Sequence, residues 1–296
     1  MTIHFSEQYQ SLTPRYGTIM HRNVPGSGTV QLPYLGFRYW LIITAVGGGG
    51  GGSTGSYYFS GHARGGGQAG GSGAWARNFM CPTFGGFSAP WEVGAGGAGG
   101  IGGASVHNSG QTGGRTLFND LELGGGIGGA AAVGVTLGGS FDILLKNNMY
   151  YQGSTNTPGG EVTTTASDSL RLHYINSQRD NIGHGFYGGL GGTDDDNYSI
   201  NSVAGSGPVT QYTAHRPGDP SGGIVGGGGG GASFWGRGGD GSTTNGSSGT
   251  GYGTGGAGAT LVGTDTNDGA AGKGGFLIVQ WMSNDSFKSN SSGWRR

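Results

Sequence analysis

Three consecutive acids, Asp194, Asp195 and Asp196, followed by Asn197, form the densest set of oxygen ligands in the sequence. Calcium binding is the chemistry they could serve, but the alternating ligands and closing Glu of a calcium loop are absent, so a solvated acidic loop is the competing reading. The histidines, at positions 4, 21, 62, 107, 173, 184 and 215, never stand four apart, which removes the helical zinc spacing. Lys273 follows Gly272, but Gly274 occupies the place where a phosphate loop needs Ser or Thr. Gly71-Ser72-Gly73 lacks the spacing of a nucleophile elbow, and no pair of carboxylates stands out for glycoside cleavage. The expectation is a protein that is not an enzyme and holds no cofactor.

Contact chemistry is better represented. The stretch STGSYYFSGHAR carries Tyr57, Tyr58, Phe59, His62 and Arg64, SVHNSGQT carries His107 and Asn108, and GSTTNGSSG and GTDTNDG are two further polar islands. Each lies between glycine runs. Aromatic rings shown on a rigid platform give large contact area at small entropic cost, so these islands read as binding tips. Tyr57 to Phe59 read equally well as a local packing cluster, because burial is the commoner fate of aromatic side chains.

The elements that must hold such tips are unusual, because 75 of the 296 residues are Gly. In GAGGAGGIGGA, residues 94 to 104, glycines come in pairs and only Ala95, Ala98, Ile101 and Ala104 carry side chains. A period of three excludes the α-helix and the half-buried strand and matches a polyproline-II-type helix, with Ala and Ile along one edge. Such a helix makes no internal hydrogen bonds, so its amides must bond to neighbouring threads. A Cβ at most positions would block that approach, which is the steric reason for glycine. Collagen is excluded by the broken Gly-X-Y register and by only 9 Pro.

Apolar strands alternate with the glycine runs. Phe37 to Val46 reads as a strand buried on both faces, and RTLFNDLEL and Phe276 to Trp281 as further strands. Strand, glycine run, polar tip, glycine run, strand is the recurring order, so the expected fold is all-β: a β-sandwich carrying a packed array of polyglycine-II helices with loops at their tips, and few or no α-helices. The strand before Gly47 raises a dinucleotide fold, but no helix and no acidic residue follow at the required distance. Residues 1 to 27 read as an arm or anchor, with Phe5, Tyr9 and Tyr16 as its candidate contacts, and residues 28 to 282 as the glycine-rich domain. Within it, 141 to 221 has ordinary composition and reads as an insert with strands at VTTT and LRLHYI; 283 to 296 is a polar tail. A formal net charge of -1 offers no attraction to nucleic acid or anionic lipid. No apolar run is long enough to insert in a membrane, and no basic, then apolar, leader opens the sequence. Cys81, the only cysteine, excludes an intrachain disulfide and is expected to be a buried, inert thiol.

Four segments in order, LIITAVGGGGGG, WEVGAGGAGG, TLFNDLELGGGIGG and GKGGFLIVQW, resemble the glycine-rich domain of bacteriophage virion and tail proteins, over about Gly28 to Trp281 apart from the insert. The resemblance implies a β-sandwich with polyglycine-II helices and, in the fibre-tip adhesins of T-even-like phages, tip loops that bind a bacterial surface receptor. It further implies a place in the virion after synthesis in the host cytoplasm, other virion proteins as partners, and a homotrimer or a cap on a trimeric fibre. The Trp-rich attachment domain of those adhesins has no counterpart before Gly28, so Met1 to Ser27 is the expected anchor. A purely structural virion component, such as a decoration or fibre connector, is the second expectation.

Overall fold

The computed structural model describes residues 15 to 130, 162 to 164, parts of 181 to 207, and 224 to 283, apart from short gaps at turns. No α-helix occurs among them. Two antiparallel five-stranded sheets carry the apolar sequence. The first has the order β1 (Arg15–Arg22), β18 (Phe276–Ser283), β3 (Tyr39–Val46), β6 (Trp75–Thr83) and β12 (Ile182–Gly183). The second has the order β11 (Val162–Thr164), β10 (Leu121–Leu123), β9 (Thr116–Phe118), β7 (Ser88–Val93) and β2 (Gly26–Gln31).

β3 shows what makes this a sandwich. Tyr39, Leu41, Ile43 and Ala45 are buried while Trp40, Ile42 and Thr44 are half-buried, so the strand encloses one face fully and not both as its composition had implied. The buried face belongs to one core with Phe79 of β6 and Leu277 and Val279 of β18, and with Val93, Phe118, Leu121 and Leu123 of the second sheet. Each such side chain contributes about 1.5 to 3 kcal/mol by leaving water. The Tyr39 ring is enclosed, its hydroxyl donates to the Pro33 carbonyl at 2.8 Å, and burial raises the phenol's pKa above its ordinary value.

Three expectations are corrected here. Residues 15 to 27 do not stand apart as an arm: β1 pairs along β18 from Arg15 opposite Ser283 to Arg22 opposite Leu277, and β2 pairs along β7. Both are sheet edges, where a polar sequence suffices because little is enclosed; Met20 is buried, while Tyr16, Thr18, His21 and Arg22 are exposed. The described parts of 141 to 221 join both sheets and the lattice, where a separate insert was expected. There β11 extends the second sheet beside β10, β12 the first beside β6, and Phe186 and Gly189 accept hydrogen bonds from Ser72 and Ala69. The strand expected at LRLHYI lies outside the described residues. Cys81 is half-buried, not enclosed.

At one end of the sandwich, β3, β7 and β10 run directly into glycine at Gly47, Gly94 and Gly124, and the returning threads enter β6, β9 and β18. Thr116 fastens this junction: its buried hydroxyl donates to Val46 O at 2.8 Å and accepts from Gly94 N–H at 3.2 Å. Beside it, rings fill the junction, with Phe234 edge-on to Trp75 at 4.5 Å and Trp235 to Phe276 at 4.8 Å.

Beyond the junction the threads bond mainly through their backbones, with a few side-chain bonds such as Gln68 N–H to Ser53 Oγ at 2.8 Å. Thread 47–54 donates in three directions, each recurring every third residue. Gly47, Gly50 and Ser53 donate to Ala74, Gly71 and Gln68; Gly48, Gly51 and Thr54 donate to Gly114, Gln111 and Asn108; Gly49 and Gly52 donate to Lys273 and Ala270. It accepts from three more threads: from Gly97 and Gly100, from Gly126 and Gly129, and from Gly256 and Ala259. The ring closes on itself, because 94–102 bonds 108–114, which bonds 124–130, then 66–74, then 254–259, then 269–275, and back to 94–102. The register places outward-running and returning threads alternately round it. This is the three-residue helix packed as a lattice.

The close approach is read directly from added side chains. A Cβ at Gly51 would fall onto the carbonyl oxygen of Ala98, at Gly52 onto that of Ala257, and at Gly50 onto that of Ile127. Thread 47–54 therefore has no free side, and Gly47 to Gly52 is unbroken glycine, all of it buried. Gly226 to Gly231 is a second such run, also buried throughout. On the perimeter, thread 94–102 has Ala95, Ala98 and Ile101 exposed, and every third residue keeps its side chain.

Candidate functional site

The lattice ends away from the sandwich in two small antiparallel sheets. One has the order β14 (Tyr198–Ile200), β13 (Thr193–Asp195), β5 (Arg64–Gly65), β4 (Ser56–Tyr57). The other has the order β15 (Ile224–Val225), β16 (Leu261–Val262), β17 (Asp265–Thr266), β8 (Gly103–Ala104). A Cβ built on Gly55 would meet Gly65 O at 3.0 Å and the Leu261 side chain at 3.2 Å, so the two sheets adjoin.

In the first sheet a transverse row reads Tyr57, Arg64, Asp194, Ser199, each opposite the next. Residues 130 positions apart in sequence are thereby adjacent, and the oppositely charged Arg64 and Asp194 occupy a cross-strand pair. The acids expected as a solvated loop or calcium site belong to a strand instead: Asp194 and Asp195 lie in β13, and Asp196 falls outside the described residues. Among the described residues no cluster of His, Cys, Asp and Glu is arranged to hold a metal ion.

His107 and Asn108 sit beside the base of this sheet and fasten two fingers together. Asn108 N–H donates to Thr54 Oγ1 at 2.9 Å, Thr54 N–H donates to Asn108 O at 3.0 Å, and Asn108 Nδ2 donates to Ile101 O at 2.7 Å. His107 Nδ1 lies 3.4 Å from Gly55 O and donates to it in the tautomer that carries the proton there. The second sheet is fastened in the same manner: Asp268 Oδ1 accepts Gly102 N–H at 2.6 Å, Thr266 Oγ1 accepts Gly103 N–H at 3.0 Å, and Asn267 Nδ2 donates to Thr260 O at 2.7 Å. Side chains with short polar arms stop each thread by satisfying amides that no further thread reaches.

Tyr58, Phe59 and His62 of the expected tip lie outside the described residues, as do Phe5 and Tyr9 of the expected anchor. Tyr16 is 79 % exposed near the start of β1, where β1 and the end of β18 pair at the sandwich end opposite the tips. Tyr34, Phe84 and Phe87 are exposed in the turns at that same end. One of those turns is built on Gly85 and Gly86, both at positive φ, where an L side chain is strained. Reasoning from sequence missed the fasteners Thr54, Thr266 and Asp268 and the joining of β13 to β5. A Thr, Asn or Asp close to either end of a glycine thread, as Thr54 near the end of 47–54 and Asp268 just before Gly269, is the signal that marks the fasteners; the β13–β5 pairing leaves no local signal.

No protein-family model matches the chain, and no curated protein matches it closely enough to stand as a relative.

Proposed function

We propose that the chain is a bacteriophage virion protein at a fibre or tail tip, acting as a receptor-binding adhesin whose fingers carry contact loops to the bacterial surface. The observation that supports this reading is the polarity of the molecule. Strand ends with exposed aromatic rings lie at one end, a backbone-bonded lattice fills the middle, and polar tips drawn from distant segments meet at the other. In this reading the sandwich end seats on other virion proteins, as a cap on a trimeric fibre or as one of three copies, and the tip row of Tyr57, Arg64 and Asp194 meets the receptor. The role needs no cofactor and no catalysis, no nucleic acid and no insertion in a membrane.

The test is a particle carrying Tyr57→Ser together with Arg64→Ser and Asp194→Ser. Normal assembly with adsorption to cells reduced roughly a hundredfold is the expected result, since two or more contacts each worth a factor of ten are removed. Unchanged adsorption overturns the adhesin role. Failed assembly, with the isolated protein still unfolding cooperatively, moves the tips to contacts within the virion and makes the protein a structural component.

A further inference from the structure

The lattice has a defined edge, and nothing in its backbone explains why it stops. In thread 47–54 the geometry at each residue is regular. For Gly48, the Cβ direction meets Ala95 of thread 94–102, the N–H meets Gly114 of thread 108–114, and the C=O receives Gly126 of thread 124–130. Cβ, N–H and C=O thus face three consecutive members of the ring. The parallel thread 94–102 obeys the same rule. The carbonyls of Ala95 and Ala98 accept from Gly114 and Gln111 of thread 108–114, so their Cβ atoms lie two steps further round, directly away from the centre. Among the described residues no thread stands there, and Ala95, Ala98 and Ile101 are exposed, Ile101 by 72 %. Thread 124–130 repeats the arrangement: Ile127 O accepts from Gly71, and Ile127 and Ala130 are exposed.

At interior glycines, an added Cβ lands on a carbonyl of the adjoining thread. Single alanines are accommodated inside the lattice, as at Ala257, which is fully enclosed; a thread arriving outside 94–102 would instead bring its carbonyls onto three side chains in succession, at Ala95, Ala98 and Ile101. We infer that these outward side chains are stoppers: they end the lattice and keep the glycine edge of one copy from docking on that of a second. The inference concerns association of the domain and stands whether or not the tips bind a receptor. An open polyglycine edge has the same hazard as an unpaired sheet edge, a row of backbone groups that template another chain. Apolar Ile101 on an exposed surface would ordinarily be read as sticky; as a stopper it acts in the opposite sense.

The two readings give opposite signs in one experiment. The variant Ala95→Gly/Ala98→Gly/Ile101→Gly removes all apolar surface from the thread and opens its edge. Stoppers predict reversible self-association, with the apparent mass in light scattering at least doubling at a concentration where the parent chain does not associate. Ala95→Ser/Ala98→Ser/Ile101→Ser keeps each Cβ and should stay at the parent's mass. Far-UV spectra and a cooperative unfolding transition identify folded material, so that aggregation of unfolded chain is not mistaken for docking. If the glycine variant stays folded at the parent's mass or associates less, or if the serine variant associates equally, the inference is overturned. Should the glycine variant fail to fold, the pair Ala95→Gly/Ala98→Gly is read by the same criteria.

Discussion

The sandwich and the lattice are two solutions to the same problem of order, and they fail differently. In the sandwich, Leu277 and Val279 interlock with Phe118 and Leu123 through side chains, and backbone pairing is shared only within each sheet. In the lattice, Gly47 to Gly52 contribute no side chain, and order comes from amides that donate to three surrounding threads and carbonyls that accept from three more. A core of side chains relaxes around a lost methylene. A lattice of backbones has nothing that can turn aside, so adding one carbon is worse for it than removing three is for the core.

The largest effect is expected from Gly51→Ala, whose methyl would fall on the Ala98 carbonyl and part threads that share hydrogen bonds on every side. A loss above about 4 kcal/mol, or failure to fold, is expected from this class of strain; a loss below about 1 kcal/mol in urea unfolding would show that the threads slide apart freely and would break the comparison. Leu277→Ala, in the enclosed sandwich core, should cost about 2 to 5 kcal/mol by burial lost and cavity left. The smallest effect belongs to Ala98→Ser on the lattice perimeter, expected within about 0.5 kcal/mol as for other exposed sites. Gly51 and Ala98 face each other across one contact, so a cost at Ala98 comparable to that at Gly51 would mean that depth in the lattice does not govern tolerance.

How much of this was legible beforehand follows the same division. β3 and β18 were readable because strands that enclose a core must be apolar, and the three-residue period was readable because perimeter threads keep one side chain in three. Unbroken glycine at 47 to 52 and 226 to 231 lies in wholly buried threads and Gly-Gly-X at 94 to 102 on the outside, but the buried thread 254–259 also keeps Ala257 and Ala259, so glycine content alone does not give depth. β1 and β2 were not legible, because an edge strand such as RYGTIMHR buries only Met20 fully and Ile19 in part. The tip row was not legible either. Arg64 and Asp194 are neighbours through pairing between strands of two and three residues, too short to carry a pattern, and only the assembled lattice brings them level.

The recurrence of bonding at every third residue also sets a grammar for insertions and deletions. One residue added within 94–102 would rotate every later donor by a third of a turn, aiming the Gly97 and Gly100 amides away from Gly49 and Gly52. Three residues added to each limb of a finger restore every partner below and lift the tip by one turn, about 9 Å. Fingers can therefore change length only in matched triplets, while the loops beyond the Thr54 and Asn108 fastening escape that rule and are free to take any length.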